Sequence, residues 1–600
     1  MELKKYEVVV IGGGMAGVCA AIASSRNGAR TALIQDRPML GGNASSEIRM
    51  HICGATHHGK RENARETGIL EEILLENRAR NPQHSFSEFD TILWEKVKEE
   101  KNLELYLNTR VFKVCTENQK ISYLEAHQLT TEKEFTFQAQ IYIDCTGDGM
   151  IAAQAGAICR QGRESREEFG ESYAPEKADR GTMGNSLMFK AIDMGYPVPF
   201  KRPSWAYEYT EEDLAYRDHE DYNSQKENYA VESGYWWIEL GGEKDTIGDA
   251  ENIRDELLKT LYGIWDHIKN KGNHGADTFA LDWVQFLPGK RESRRIEGDY
   301  LLKEQDLLEG RIFEDAVAYG GWPMDMHPPK GFLFSGDPTR YIELGKVYTI
   351  PYRCFYSKTI NNLMMAGRNI STTHMAFGST RVMGTCAVGG QAAGTAAAMA
   401  VRLGYTPREI GEKNIEDLQI RLMRDDCYLP GYRNQDLEDQ VKNATKIISS
   451  SSVFGGEAEK IRDGYQRNEL GEIHEWISQI MGNEPEWIEI QWDEPINLNE
   501  LQIKFDTDLT TEIEISLSRR IREQQVKGLP SSLVKKYQVQ AFKEGKMVWE
   551  KMCTENYQRF CIHYPSVLAD CVRVSIYDTW GSTQAKIFEV RSYENKYLNH

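Results

Sequence analysis

The chain has no C-x-x-C pair among its eleven cysteines, and their number is odd. That argues against a disulfide framework and a thiolate zinc site, and leaves reduced, mostly buried thiols as the expectation. It has no long apolar run. The longest, Val8 to Ala23, is broken by four glycines, so no membrane span is expected. It has no basic excess: 72 Lys and Arg stand against 91 Asp and Glu, a net charge of −19. That disfavours nucleic acid and anionic membranes as partners. No leader precedes the first strand, so the expected compartment is the cytoplasm. No internal repeat or low-complexity segment is evident. Six hundred residues exceed one ordinary domain, so two or three are expected.

What is present begins at the N-terminus. A bare apolar strand, Tyr6 to Ile11, runs into Gly12-Gly13-Gly14-Met15-Ala16-Gly17 and a small-residue helix, followed by a second strand, Thr31 to Gln35. This βαβ pattern reads as a dinucleotide site. Gly12 permits the tight turn, Gly14 lets backbone approach a pyrophosphate, and Gly17 lets the helix pack closely with its N-terminus facing the phosphates. An acidic residue commonly ends the second strand, where it meets the ribose hydroxyls. Here Gln35 holds that place, with Asp36 beside it, and either could serve.

Further along, helical stretches are expected at Glu62 to Arg80 and Phe86 to Lys101. Short strands follow at Leu103–Leu107, Val111–Cys115, Ile121–Ala126 and Glu134–Gln138. A strand at Ile141–Ile143 runs into Asp144-Cys145-Thr146-Gly147-Asp148-Gly149. The nucleotide fold resumes near Asn362 to Arg368, with a Gly- and Ala-rich helix from about Thr385 to Arg402 and a helical connector at Ile415 to Met423. Beyond about Asn443 period-2 alternation appears at Trp487–Trp492, Leu501–Phe505 and Val572–Ile576. This argues antiparallel strands with one buried face. The expected fold is an α/β Rossmann-type domain (residues 1–160 and 346–430), an interposed α+β substrate domain (161–345) and a C-terminal all-β sandwich (443–600).

Three segments together resemble the FAD-dependent oxidoreductases related to fumarate-reductase-type flavoproteins, with a glutathione-reductase-like Rossmann domain. They are Gly12 to Gly17 continuing to Leu40-Gly41-Gly42-Asn43-Ala44-Ser45-Ser46-Glu47-Ile48-Arg49; Asp144 to Gly149; and Ala366-Gly367-Arg368-Asn369-Ile370-Ser371 continuing to Ser379–Gly384. Arg291 to Tyr300 adds a fourth. The resemblance covers about residues 5 to 430. The C-terminal part is similar to galactose-binding-like, discoidin-type sandwiches, through Pro485–Ile490 and Ile587–Arg591. Such domains either bind sugars or pack against a catalytic neighbour.

The resemblance implies FAD and a set of residues for it. Gly12, Gly14 and Gly17, with Met15 and Ala16, would hold the pyrophosphate. Gln35, Asp36 and Arg37 would lie near the adenosine ribose. Gly42, Asn43, Ser45 and Ser46 would follow the phosphates, and the backbone of Val111 would meet adenine. Thr146, Gly147 and Asp148 would form the second nucleotide turn. Gly367, Arg368, Arg381, Val382, Met383 and Gly384 would complete the pocket. No second G-x-G-x-x-G follows a strand, so a separate nicotinamide domain is not expected, and no metal is expected.

An acid or base must stand beside the reacting carbon. His327, with Asp325 two residues earlier, His374 and His51 compete for that role. Arg295, with Arg291 and Arg294, could clamp an oxyanion or serve interdomain salt bridges. The expected activity is oxidation or reduction of a small polar substrate, with a carbohydrate or glycoside favoured by the sandwich and by aromatics such as Tyr235-Trp236-Trp237 and Trp322. Alternatives are an enoate or fumarate-type reductase, a redox-neutral glycoside cleavage, and a glycan-binding protein with a vestigial flavin fold. Oligomeric state is not legible.

Overall fold

The computed structural model describes residues 1–219, 229–272, 274–469 and 471–595. A five-stranded parallel sheet organises the first domain, in the order Leu363–Met365, Ile141–Asp144, Val8–Ile11, Thr31–Ile34, Leu103–Tyr106. Its central strands are buried on both faces, which is why they read as uninterrupted apolar runs. Two helices cover one another beside it, Met15–Arg26 and Met383–Leu403. Their close approach depends on small residues. A Cβ at Gly390 would lie 2.1 Å from the Ala16 carbonyl oxygen, and one at Gly394 would lie 2.0 Å from that of Ala20. A second, four-stranded sheet holds Glu2–Lys5, Lys133–Gln138, Lys120–Gln128 and Thr109–Glu117.

The expected strands and helices are found within a few residues of their places, with two differences. Residues 62–67 are not helical; the helix is Ile69–Arg80, preceded by Gly68 at φ +76°. An additional helix, Pro407–Lys413, precedes the Ile415–Arg424 connector and is closed by a Thr406/Glu409 capping box.

The interposed region builds its own core around the amphipathic helix Ala250–Asn270, from Phe189, Tyr235, Trp237, Leu257 and Trp265. The C-terminal region is all antiparallel: a five-stranded sheet built on Glu486–Leu498, Val567–Thr579 and Val534–Lys543, and a four-stranded one built on Lys586–Tyr593 and Glu500–Phe505. Ile490, Val539, Val574, Ile503 and Val590 share one core.

This sandwich is fastened to the first domain by a buried guanidinium that is itself held by a carboxylate of the first domain. Arg65 is 1 % exposed, as is its partner Glu71 at 2.7 Å. The same guanidinium donates to the carbonyls of Thr507 (3.0 Å), Asp508 (2.9 Å) and Thr511. Truncating one member of a buried ion pair strands its partner in low dielectric, at about 3–5 kcal/mol. Glu71 keeps the longer contact to Arg559 at 3.6 Å, so Arg65→Ala is expected to lower the folding free energy by the lower end of that range, ~3 kcal/mol, read as a drop in the midpoint of thermal or urea unfolding. A loss under about 1 kcal/mol, the range of exposed pairs, would show the fastening to be elsewhere.

Candidate active site

One cavity of about 1340 Å³ runs from the glycine turns to the interposed region. Part of its floor is the Gly12 turn, where the backbone cannot carry a side chain, and Gly17 packs against that turn from behind. Gly12 sits at φ +101°, and a Cβ there would be 2.3 Å from the Cys145 carbonyl oxygen. At Gly17 a Cβ would fall 1.8 Å from the Gly12 oxygen. Gly14 is different: a Cβ would meet nothing within 4 Å, and the residue lines the cavity. The two long helices begin at the cavity wall, through Met15 and Ala16 and through Val382 and Met383. Neither has a side-chain cap or an acidic residue in its first turn. Their positive dipole ends suit anionic groups, although the Gly384 N–H of the second helix is taken by the Cys53 carbonyl.

Gly12, Gly14, Met15, Ala16, Gln35, Asp36, Arg37, Gly42, Asn43, Val111, Thr146, Gly147, Asp148, Gly367, Arg368, Arg381, Val382 and Met383 all line this cavity. Gln35 spends its amide on the protein: the Gly13 N–H donates to its Oε1 at 2.8 Å, and its Nε2 donates to the Met39 carbonyl at 3.2 Å. It thereby shapes the glycine turn, leaving Asp36 and Arg37 as the polar side chains of this pair of turns. Asp148 accepts from Arg368 (2.8 Å), Lys290 (2.7 Å) and Ser293 (2.8 Å). Burial would raise its carboxyl, but the two cations outweigh it and hold it at about 2.

Four of the expected cofactor residues stand behind the wall instead. Gly17 permits helix–turn packing. Ser45 Oγ donates to the Gly42 carbonyl at 2.7 Å, the Ser46 N–H to Asp90 at 3.1 Å, and the Gly384 N–H to the Cys53 carbonyl at 2.8 Å. They shape the wall from behind.

The reactive end is a chain of buried charges. His327 Nδ1 lies 2.7 Å from Glu239 Oε2, and Nε2 lies 3.2 Å from Asp325 Oδ2. Arg291 reaches Glu239 at 3.2 Å and Arg381 reaches Asp325 at 2.7 Å. All five residues are buried or nearly so, and of these Arg291, Asp325, His327 and Arg381 line the cavity with Trp236, Trp322 and Tyr341. Burial opposes charge on the His327 ring, but Glu239 and Asp325 outweigh it and raise its pKa above 6.5. Burial likewise opposes the Glu239 charge, yet Arg291 and His327 hold that carboxyl at about 2. The Nε atoms of Arg368 and Arg381 and the Trp322 Nε1 are buried without a hydrogen-bond partner among the described residues, and all three residues line the cavity. Such orphan donors are costly unless a bound molecule accepts from them.

His51 also lines the cavity. Its Nδ1 lies 3.3 Å from the Ile515 carbonyl and its Nε2 lies 3.5 Å from Glu512. Glu512 belongs to the C-terminal region, as do Ser516, Leu517 and Ile521 of the cavity wall. The C-terminal region therefore contributes part of the cavity wall.

The other two expected catalytic residues are elsewhere. His374 Nδ1 meets Glu292 at 2.9 Å, and its backbone N–H donates to Glu164 at 2.8 Å. Arg295 binds Glu164 at 3.1 Å and the Thr372 carbonyl at 3.2 Å. Neither residue lines the cavity. Both sit in one buried ion network behind it. His374 stands between Arg368 and Arg381 in the sequence, but it lies in the first turn of the His374–Thr380 helix, whose residues are all buried. Glu239, which fixes His327, carries no sequence signal, because it arrives from 88 residues away.

A family model described as FAD dependent oxidoreductase matches residues 7–422. No curated protein matches the chain. Among solved structures, a geranylgeranyl bacteriochlorophyll reductase-like protein from Thermoplasma acidophilum is similar over 71 % of this chain and 86 % of its own, at 14 % identity and TM-score 0.33. A fucose binding module from Streptococcus pneumoniae matches 25 % of this chain and 94 % of its own, at 16 % identity and TM-score 0.20. A family 32 module of C. perfringens NanJ, in complex with galactose, matches 26 % and 98 %, at 14 % identity and TM-score 0.20.

Proposed function

The chain belongs to the FAD dependent oxidoreductase family, and on that premise we propose that it oxidises, or reversibly reduces, a small polyhydroxylated substrate such as a sugar or glycoside, with His327 as the acid–base residue. The chain uses FAD as its cofactor. The side-chain-free turns at Gly12 and Gly14, the helix starts without side-chain caps and the orphan donors fit that group. FAD, when bound, supplies the two-electron chemistry, taking a hydride from a substrate carbon or returning one.

The observation that carries the reading is the bracketing of His327. Glu239 fixes the ring through a short contact to Nδ1, and the longer Nε2 contact leaves that nitrogen as the end for proton exchange. Oxidation of a carbinol needs the neutral ring to take the hydroxyl proton; reduction needs the imidazolium to give it back. Trp236 and Trp322 line the same cavity as the polar residues at His327, and indole surfaces beside polar groups suit a ring with hydroxyls at its rim. Arg291 and Arg381 are each already paired with a carboxylate. A substrate carboxylate would have to displace Glu239 or Asp325 to be clamped, which favours an uncharged polyol over a dicarboxylate.

Anaerobic titration of the holoprotein with a panel of sugars and glycosides, beside fumarate and succinate, tests this. Bleaching of the visible flavin band by a sugar, and not by succinate, is expected. Redox exchange with the carboxylates alone would replace this reading with the enoate-reductase one.

A further inference from the structure

Within the interposed region three histidines and a carboxylate converge, apart from the charge chain at His327. His219, His267 and His274 are 7 %, 1 % and 2 % exposed at the side chain, and Glu211 is 60 % exposed. The three rings are 5.0–5.1 Å apart, centroid to centroid. One ligand atom from each of the four residues lies within 4.8 Å of all the others.

The hydrogen bonding around them is informative. His219 Nδ1 lies 2.7 Å from the Arg217 carbonyl, and His267 Nδ1 lies 3.1 Å from the Tyr209 carbonyl. A carbonyl only accepts, so each ring carries its proton on Nδ1 there. A neutral ring then presents a bare lone pair at Nε2. Those Nε2 atoms face Glu211 oxygens, at 3.2 Å from His219 and 3.1 Å from His267. Lone pair against carboxylate is repulsive. It is relieved by two imidazolium ions packed 5.1 Å apart in a buried site, or by one cation held between them. Nδ1–H to a backbone carbonyl, with Nε2 free, is also the arrangement that orients histidines as metal ligands.

We propose that Glu211, His219, His267 and His274 bind one divalent first-row transition ion, with zinc the best match to a four-ligand set of imidazoles and a carboxylate. His274 Nε2 lies 3.1 Å from the same Glu211 oxygen and 2.9 Å from the Lys271 carbonyl. It joins the ion by giving up the carbonyl. Four protein ligands leave no open position, which marks a structural site. Its place says what it would hold. His267 is on the last turn of the Ala250–Asn270 helix, whereas Glu211 and His219 lie in the segment that lines the far end of the cavity, with Arg217 between them. The ion would pin this cavity wall to the helix. Because the ligands stand at 211, 219, 267 and 274, with no short repeat of spacing, nothing in the sequence marks them as a set.

The test uses the full-length holoprotein, stripped with EDTA and dialysed against excess Zn²⁺, then against buffer. Elemental analysis is expected to find one zinc per chain, and X-ray absorption to find nitrogen and oxygen scatterers at about 2.0–2.1 Å. His267→Ala and Glu211→Gln should each weaken Zn²⁺ binding at least about tenfold, with flavin content unchanged. A wild-type chain that takes up no Zn²⁺ saturably, or uptake equal in both variants, overturns the proposal. Zinc bound through sulfur scatterers does so as well.

Discussion

His327→Gln is expected to lower kcat by about 10²–10⁴-fold, the usual contribution of a positioned acid–base group, while the flavin stays bound. Glutamine keeps a hydrogen-bonding side chain between Glu239 and Asp325 but cannot exchange a proton at neutral pH. Arg291 and Arg381 remain to neutralise the two carboxylates, so the fold is expected to survive. The rate is read by stopped-flow bleaching of the flavin with whichever substrate reduces the wild type. If the variant bleaches within about threefold of wild type, well below the range for acid–base catalysis, His327 is not the proton acceptor, and His51 becomes the next candidate.

Gly14→Ala is expected to separate cofactor binding from folding. Gly14 has ordinary extended backbone, φ −68° and ψ 177°, which alanine adopts freely. Its Cβ would enter open space on the cavity side, where the pyrophosphate is expected. The apoprotein should therefore melt as wild type does, while FAD affinity falls by about ten- to hundredfold, the equivalent of about 1–3 kcal/mol of overpacking. Gly12→Ala is the contrast: its methyl meets the Cys145 carbonyl and the backbone sits at φ +101°, so the apoprotein itself should lose stability. Calorimetric titration of the two apoproteins with FAD, together with their thermal midpoints, reads both effects. Equal FAD affinity in Gly14→Ala and wild type would show that the phosphates do not lie against this turn.

The parts of the site that the sequence revealed are the parts made by local backbone. The Gly12–Gly17 turn, the Thr146–Asp148 turn and the start of the long Gly/Ala helix are each set by a few adjacent residues. A strand ending in glycine before a small-residue helix has few other readings. Side-chain roles were less legible because they depend on partners far along the chain. Asp325 beside His327 is visible in sequence, but Glu239, which holds the other ring nitrogen, is not. His374 and Arg295 carry the right chemistry in the right neighbourhood, yet Glu292 and Glu164 draw them into a buried ion network. The sandwich was legible from its alternation. That Glu512 reaches His51 and the 516–521 segment reaches the cavity was not, since nothing in the pattern of those strands shows what their connecting loop touches.

The most direct test of the account is the pH dependence of single-turnover flavin reduction in wild type and Glu239→Gln. In wild type, Glu239 and Asp325 raise the His327 pKa above 6.5. Oxidation needs the neutral ring, so the rate should climb with pH through an inflection above 6.5. Removing the Glu239 charge takes away one of the two raising influences, and the inflection should move to lower pH. An inflection at the same pH in both proteins would contradict the central claim, that the proton of the reaction passes through His327.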